Sequence, residues 1–290
     1  MADGIHFLGS FGQPPIVSLY LVKGDETALV ESGPRCIGEQ AISAIERVGV
    51  AVEDLSWIAL THIHLDHAGG AWHIARRARN AKVAVLGDGA RHLENPERLL
   101  ASSALYLGET LRDWGEVQPL NPEQIARVKD GDRIELGGKV LRVIQTPGHA
   151  PHHMSLYEEQ TRTLLPGDAV GLYYAEADAV VPASPPPSFN LDLALTSLQK
   201  LASLSSKRIL LSHFGYHNNP SALLERNIQT YTDWAEILQK ESHRNPPFDT
   251  LLATLLDHYP QYRILLQDKV AAKMLTVSLR GFYEALRKNG

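Results

Sequence analysis

Four segments of the chain share one arrangement, in which a short apolar run ends and a histidine or aspartate follows at once. WIALT runs into His62-Ile63-His64-Leu65-Asp66-His67, VLRVIQTPG into His149, TLLPG into Asp168 and RILLS into His213. Imidazole and carboxylate donors without thiolate suit zinc, manganese, iron or cobalt. Seven such side chains exceed the four donors of a tetrahedral zinc. They fit two divalent ions with a shared ligand, zinc first and iron or manganese as alternatives. Two divalent cations against two aspartates leave a net positive centre, which attracts an anionic intermediate.

The spacing within the first cluster adds detail. In an extended segment His62 and His64 project to one side. Asp66 joins them if the backbone stays extended, and His67 then opens the next element. Gly69-Gly70 is expected to let the chain turn sharply beside the site. His152 and His153, next to His149, and Tyr173 and Tyr174, just after Asp168, are candidates for touching a substrate, with His153 ahead of His152. His73 reads as packing or surface, and His217 as pocket or surface. His6, His92, His243 and His258 read as ordinary residues. Cys36, the chain's single cysteine, reads as a small buried hydrophobe. It also excludes cysteine-based zinc fingers, iron–sulfur clusters and disulfide redox pairs.

Strand–helix alternation must position these groups. Residues 16–22 and 27–31 read as a hairpin of strands, 37–49 as a helix, 57–60 as a short buried strand, 71–79 as a helix with a basic face and 82–86 as a strand. Residues 90–128 carry no clear period. Strands return at 133–136, 139–145, 154–157, 163–165 and 208–211, with a helix over 192–204. Residues 182–187 hold four prolines and admit neither a regular helix nor a central strand. The pattern is an α/β layered fold, in which strand C-termini face the ligand crevice. A domain over 1–220 is followed by a helical extension over 221–290, expected to pack on the core.

HxHxDH at His62, His64, Asp66 and His67, with TPGH at 146–149, GD at 167–168 and SH at 212–213 in order, resembles the signature of the metallo-β-lactamase superfamily. The resemblance covers roughly residues 5–220. It implies an αβ/βα sandwich with metals at one edge of two facing sheets. It further implies that His62, His64 and His149 hold one ion, that Asp66, His67 and His213 hold the other, and that Asp168 bridges them. TPGHAPHHMS is similar to the corresponding segment of glyoxalase II and the acyl-homoserine lactonases, the binuclear hydrolase branch. Two positions depart from that pattern. Glu31-Ser32-Gly33 stands where Asp-Thr-Gly is usual, so Glu31 must reach the site by another path. Gly171 stands where the lactonase pattern places a tyrosine.

The chain has 290 residues, 28 Lys+Arg against 33 Asp+Glu and a net charge of −5. That balance disfavours nucleic-acid partners. Apolar runs are too short for a membrane span, and the first residues carry no leader pattern, so the expected setting is cytoplasmic. The expected activity is metal-dependent hydrolysis of a small ester, thioester or lactone, with Asp66 as the catalytic acid/base. An iron-dependent thiol dioxygenase and a phosphodiesterase are the alternatives. The C-terminal helices are expected either to roof the site or to form a homodimer interface.

Overall fold

Alternating side chains along the early strands sort into two separate cores. In the computed structural model, which describes residues 3–12, 17–108, 110–242 and 246–289, a first six-stranded sheet runs in strict chain order. Its strands are β1 (Ile5–Phe11), β2 (Val17–Lys23), β3 (Thr27–Val30), β4 (Trp57–Ala59), β5 (Lys82–Leu86) and β6 (Ile125–Val128). The first three pair antiparallel and β3 to β6 pair parallel. Leu19, Leu21, Leu29, Ile58, Val83 and Val85 face a core completed by Ile42 and Ile45 of α1 (Gly38–Arg47), by Leu65 of α2 (Leu65–Ala68) and by Trp72 and Ile74 of α3 (Ala71–Arg77). Their alternates Tyr20, Val22, Ala28, Val30, Ala59 and Ala84 face a second core. This is the period of two that a sheet covered on both faces requires. Short helices α4 (Ala90–Glu94), α5 (Glu97–Leu107) and α6 (Thr110–Asp113) separate β5 from β6.

The second sheet closes the second core. Its strands are β7 (Arg133–Glu135), β8 (Val140–Gln145), β9 (Met154–Glu158), β10 (Thr163–Leu165), β13 (Arg208–Leu210) and β14 (Tyr216–His217), ordered β14-β13-β10-β9-β8-β7. Only β10 and β13 pair parallel. Ile134, Leu141, Val143, Leu156, Leu165 and Leu210 come from this sheet or its ends.

Between β10 and β13 lie a small hairpin, β11 (Leu172–Tyr174) with β12 (Ala179–Val181), and α7 (Leu191–Ala202). After β14 come α8 (Pro220–Ser242), α9 (Phe248–His258), α10 (Tyr262–Leu265) and α11 (Lys269–Asn289). No described helix is long and apolar enough to cross a membrane.

The chain divides into two compact units. The first is Met1–Gln145, His152–Gly167 and Lys207–Asn218, and holds both large sheets. The second is Thr146–Pro151, Asp168–Ser206 and Asn219–Gly290. One seam, between Asn218 and Asn219, falls close to residue 220.

Several sequence expectations change. β1, β6, the β11–β12 hairpin and β14 are additional strands. The hairpin begins at Val17, and Ile16 and His243 lie outside the described residues. Cys36 is exposed, because it sits on a 3-10 turn (Arg35–Ile37) that buries Ile37 instead. Gly69 and Gly70 adopt ordinary right-handed φ values of −62° and −90°. Their need for glycine is close approach, since a Cβ would meet Leu65 O at 2.4 Å and Ser32 O at 3.0 Å, respectively.

Candidate metal centre

Within the first unit, the chain leaves β4 at Ala59 and carries Thr61, His62 and His64 to the start of α2. His64 is the residue just before that helix, with φ −60° and ψ 150°. Helix α2 begins at Leu65, so Asp66 stands on a helical turn together with His67 rather than on an extended continuation. His62 Nε2 lies 3.0 Å from His64 Nδ1. Asp66 Oδ2 lies 3.7 Å from His67 Nε2 and 3.9 Å from His213 Nε2. One donor atom from each of Asp66, His67 and His213 falls within 4.8 Å of the other two. Donors around a tetrahedral ion at bonds of ~2.1 Å stand about 3.4 Å apart. The geometry and chemistry of this donor set therefore fit a divalent metal.

Glu31 underlies the cluster and takes the path that its extra methylene requires. Its backbone turns to φ +65°, a region that costs a non-glycine residue about 1–2 kcal/mol. The side chain is fully buried. Its carboxylate accepts hydrogen bonds from Thr61 Oγ (2.6 Å), His67 Nδ1 (3.0 Å), Ser212 Oγ (3.1 Å) and Thr61 N (3.3 Å). Because Glu31 accepts from Nδ1, the neutral His67 ring presents the lone pair of Nε2 toward Asp66, the tautomer a metal ligand needs. Ser32 adds a clamp, with its Oγ and N donating to His67 O at 2.7 and 2.9 Å.

His213 is held from the other side by β2. Ser18 N donates to Ser212 O at 2.8 Å, and Gly215 N donates to Ser18 Oγ at 2.9 Å. The Tyr20 hydroxyl stands 2.6 Å from Gly215 O and 2.8 Å from Leu211 O. Burial pushes that hydroxyl's pKa far above the usual tyrosine value, so it remains a donor.

In the second unit, His149 Nδ1 donates to Ala183 O at 2.9 Å. A carbonyl can only accept, so Nε2 of the neutral ring carries the lone pair, and it lies 3.5 Å from Asp168 Oδ2. That separation again suits two ligands of one ion. Both residues are buried.

The residues expected to touch a substrate have these partners. The Tyr173 hydroxyl donates to Asp178 Oδ1 at 2.9 Å, and Asp178 also pairs with Arg226. The Tyr174 hydroxyl points to Met274 Sδ at 3.6 Å. His153 is buried. Its ring lies 5.0 Å from that of His62. His152 stacks on His62 at 6.5 Å and meets His92 edge-on at 6.4 Å. His73 pairs with Glu39 at 2.7 Å, and His217 sits in β14. Thr61 and Ser212 are the residues that sequence reasoning passed over. Each is a hydroxyl placed one residue before a ligand at a strand end, and that placement was the available signal.

Gly167 shows how tightly this wall is built. Its φ is +59°, and a Cβ there would lie 2.5 Å from His153 Nε2 and 2.8 Å from Thr61. Gly167→Ala is therefore expected to cost about 2–4 kcal/mol, from left-handed strain plus overpacking. Urea denaturation checks this, and a change below 1 kcal/mol refutes it.

The two packed sheets and the His/Asp cluster at their strand ends define an α/β protein with a candidate metal site. The chain belongs to the metallo-beta-lactamase superfamily, whose family model matches residues 12–213. It is 27% identical to the metallo-beta-lactamase fold-containing protein ST1585 of Sulfurisphaera tokodaii, over 73% of this chain and 78% of that one. An N-acyl homoserine lactonase of Bacillus thuringiensis is 26% identical over 61% of this chain and 62% of its own length. Glyoxylase B2 of Dictyostelium discoideum is 27% identical over 64% and 57%. Among solved structures, a metallo-beta-lactamase family protein of Thermus thermophilus, TTHA1429, superposes with a TM-score of 0.72 at 25% identity, covering 99% of this chain and 94% of that one.

Proposed function

We propose that this protein is a dinuclear metallohydrolase of small esters, thioesters or lactones. The observation that carries the reading is the spacing of Asp66, His67 and His213, whose donors stand as ligands of one ion stand. His62, His64 and His149 would hold the first ion and Asp66, His67 and His213 the second, with Asp168 between them. Two such ions, when bound, supply Lewis acidity and lower the pKa of water to about 7.

The protein's own groups supply the rest. Glu31 and Ala183 O fix the tautomers of His67 and His149, so both rings present Nε2. Asp66 keeps 17% of its side-chain surface exposed, against 6% for Asp168. It is therefore the carboxylate able to accept the proton of an attacking water and pass it to a leaving group. Relatives named as a lactonase and a glyoxylase support an acyl substrate.

The test is elemental analysis of protein purified without a metal-binding tag, followed by a lactone, thioester and phosphodiester panel. About two equivalents of zinc or manganese with acyl hydrolysis are expected. About one equivalent of iron with thiol oxidation would overturn the dinuclear hydrolase, and turnover of phosphodiesters alone would overturn the acyl substrate.

A further inference from the structure

The proline-rich strap at 182–187 sits beside a candidate metal ligand and is gripped by helices that lie beyond the family match. Pro182, Pro185, Pro186 and Pro187 have no N–H to give, so Ala183 and Ser184 hold the strap's two backbone donors. Ala183 N donates to the Tyr231 hydroxyl on α8 at 3.0 Å. Ala183 O accepts from His149 Nδ1 at 2.9 Å. Tyr231 is 1% exposed and Ala183 is 4% exposed. One residue on, Ser184 Oγ donates to Ser278 O on α11 at 2.9 Å. A Cβ at Gly281 would lie 2.0 Å from Ser184 O, so α11 presses directly on the strap. The rings of Phe189, Tyr231 and Phe282 pack together at 5.3–6.2 Å between centroids, which leaves the Tyr231 hydroxyl little freedom to move.

We infer that Tyr231 is a positioning residue for His149, acting through the backbone of Ala183, so that the C-terminal helices set the metal affinity of the ion that His149 holds. The inference rests on the dinuclear reading above. The physical reason is direct. Ala183 donates to Tyr231 through the peptide before its Cα and accepts from His149 through the peptide after it, so the two bonds together fix both planes about that one residue. Loss of the phenol frees the Pro182–Ala183 peptide, lets the backbone turn about the Ala183 Cα that also carries the carbonyl held by His149, and leaves a buried N–H without an acceptor. Groups that orient a ligand in this way typically change metal affinity 10–100-fold when removed. Composition says of residues 182–187 only that they are neither a regular helix nor a central strand, and of the helices after 220 that they extend the core. The hydrogen bonds join both to a ligand.

The experiment compares wild type, Tyr231→Phe and His149→Ala by zinc competition against a chromophoric chelator and by the visible spectrum of the cobalt-loaded protein. The expected result is that Tyr231→Phe weakens one of two equivalents by roughly 10–100-fold. That equivalent should be the one His149→Ala abolishes, with its cobalt bands shifted and the other equivalent unchanged. Equal affinities for both equivalents in Tyr231→Phe and wild type would overturn the inference while leaving the metal reading intact. A wild type that binds no zinc or cobalt would overturn both. If Tyr231→Phe does not fold, Ser184→Ala decides. A weakening confined to the His149 equivalent supports the inference, and unchanged affinities refute it.

Discussion

Asp168→Ala should lose metal and hydrolysis together while the metal-free protein becomes no less stable. Asp168 is 4% exposed, and its Oδ2 lies 3.5 Å from His149 Nε2. A buried carboxylate gathered with other donors is costly unless a cation compensates it. Removing it from the metal-free protein relieves that cost. On the dinuclear reading, removing it from the metal-bound protein deletes the proposed bridge. Activity should fall about a thousand-fold, equivalent to ~4 kcal/mol of transition-state stabilisation. Retained metal should fall to at most one equivalent. The checks are elemental analysis, turnover on the best ester or lactone, and melting of the chelator-treated protein. A variant that keeps both ions and its rate would sink the bridging role.

Glu31→Ala should do the opposite to stability, though both residues are buried acids. Glu31 accepts from a backbone N–H, an imidazole N–H and two hydroxyls. The hydroxyls can rotate toward other acceptors, and Thr61 Oγ already lies 3.0 Å from His62 Nδ1. Thr61 N and His67 Nδ1 cannot. Each stranded buried donor costs about 1–3 kcal/mol, so the variant should lose roughly 2–5 kcal/mol even without metal. Glu31→Gln keeps the shape but turns an amide NH2 toward donors. It should hold the fold better than alanine, yet weaken metal binding 10–100-fold through the His67 tautomer. Denaturation and zinc competition on both variants separate the two effects. An alanine variant within 1 kcal/mol of wild type in the metal-free state would remove Glu31 from its structural role.

The candidate ligands stood out because each follows an apolar run that reads as a buried strand, and burial on both faces writes itself as continuous hydrophobicity. The elements that escaped have weaker signatures. β1 is an edge strand whose register shifts between Phe7 and Gly9, and its residues after Ile5 are only partly buried. β6 is the opposite edge, four residues long with one fully buried side chain. β11 and β12 are three-residue strands bent around Asp178 at φ +43°. Whether the extended chain runs on to Asp66 was open in the sequence, because periodicity does not resolve a four-residue helix. The partner of Tyr174 and the Arg226 that pairs with Asp178 were invisible because Met274 and Arg226 lie far along the chain, and spacing within one segment cannot report on such distant neighbours. Glu31 was legible as an outlier of residue type, but its left-handed backbone was not.

The two sheets also differ in when they can exist. β1 to β6 follow chain order, so each strand of the first sheet can find its neighbour soon after synthesis. β10 has its outer partner only in β13, after residues 166–207 have been made. Until then β10 is a bare edge, the kind of strand that invites pairing with a stranger. Its closure is a long-range step, paid for in loop entropy before any contact repays it. The late-made segment that ends this exposure, 208–217, is the one that carries His213. The nascent chain therefore gains a sealed sheet edge and its last candidate metal ligand within a few residues of each other.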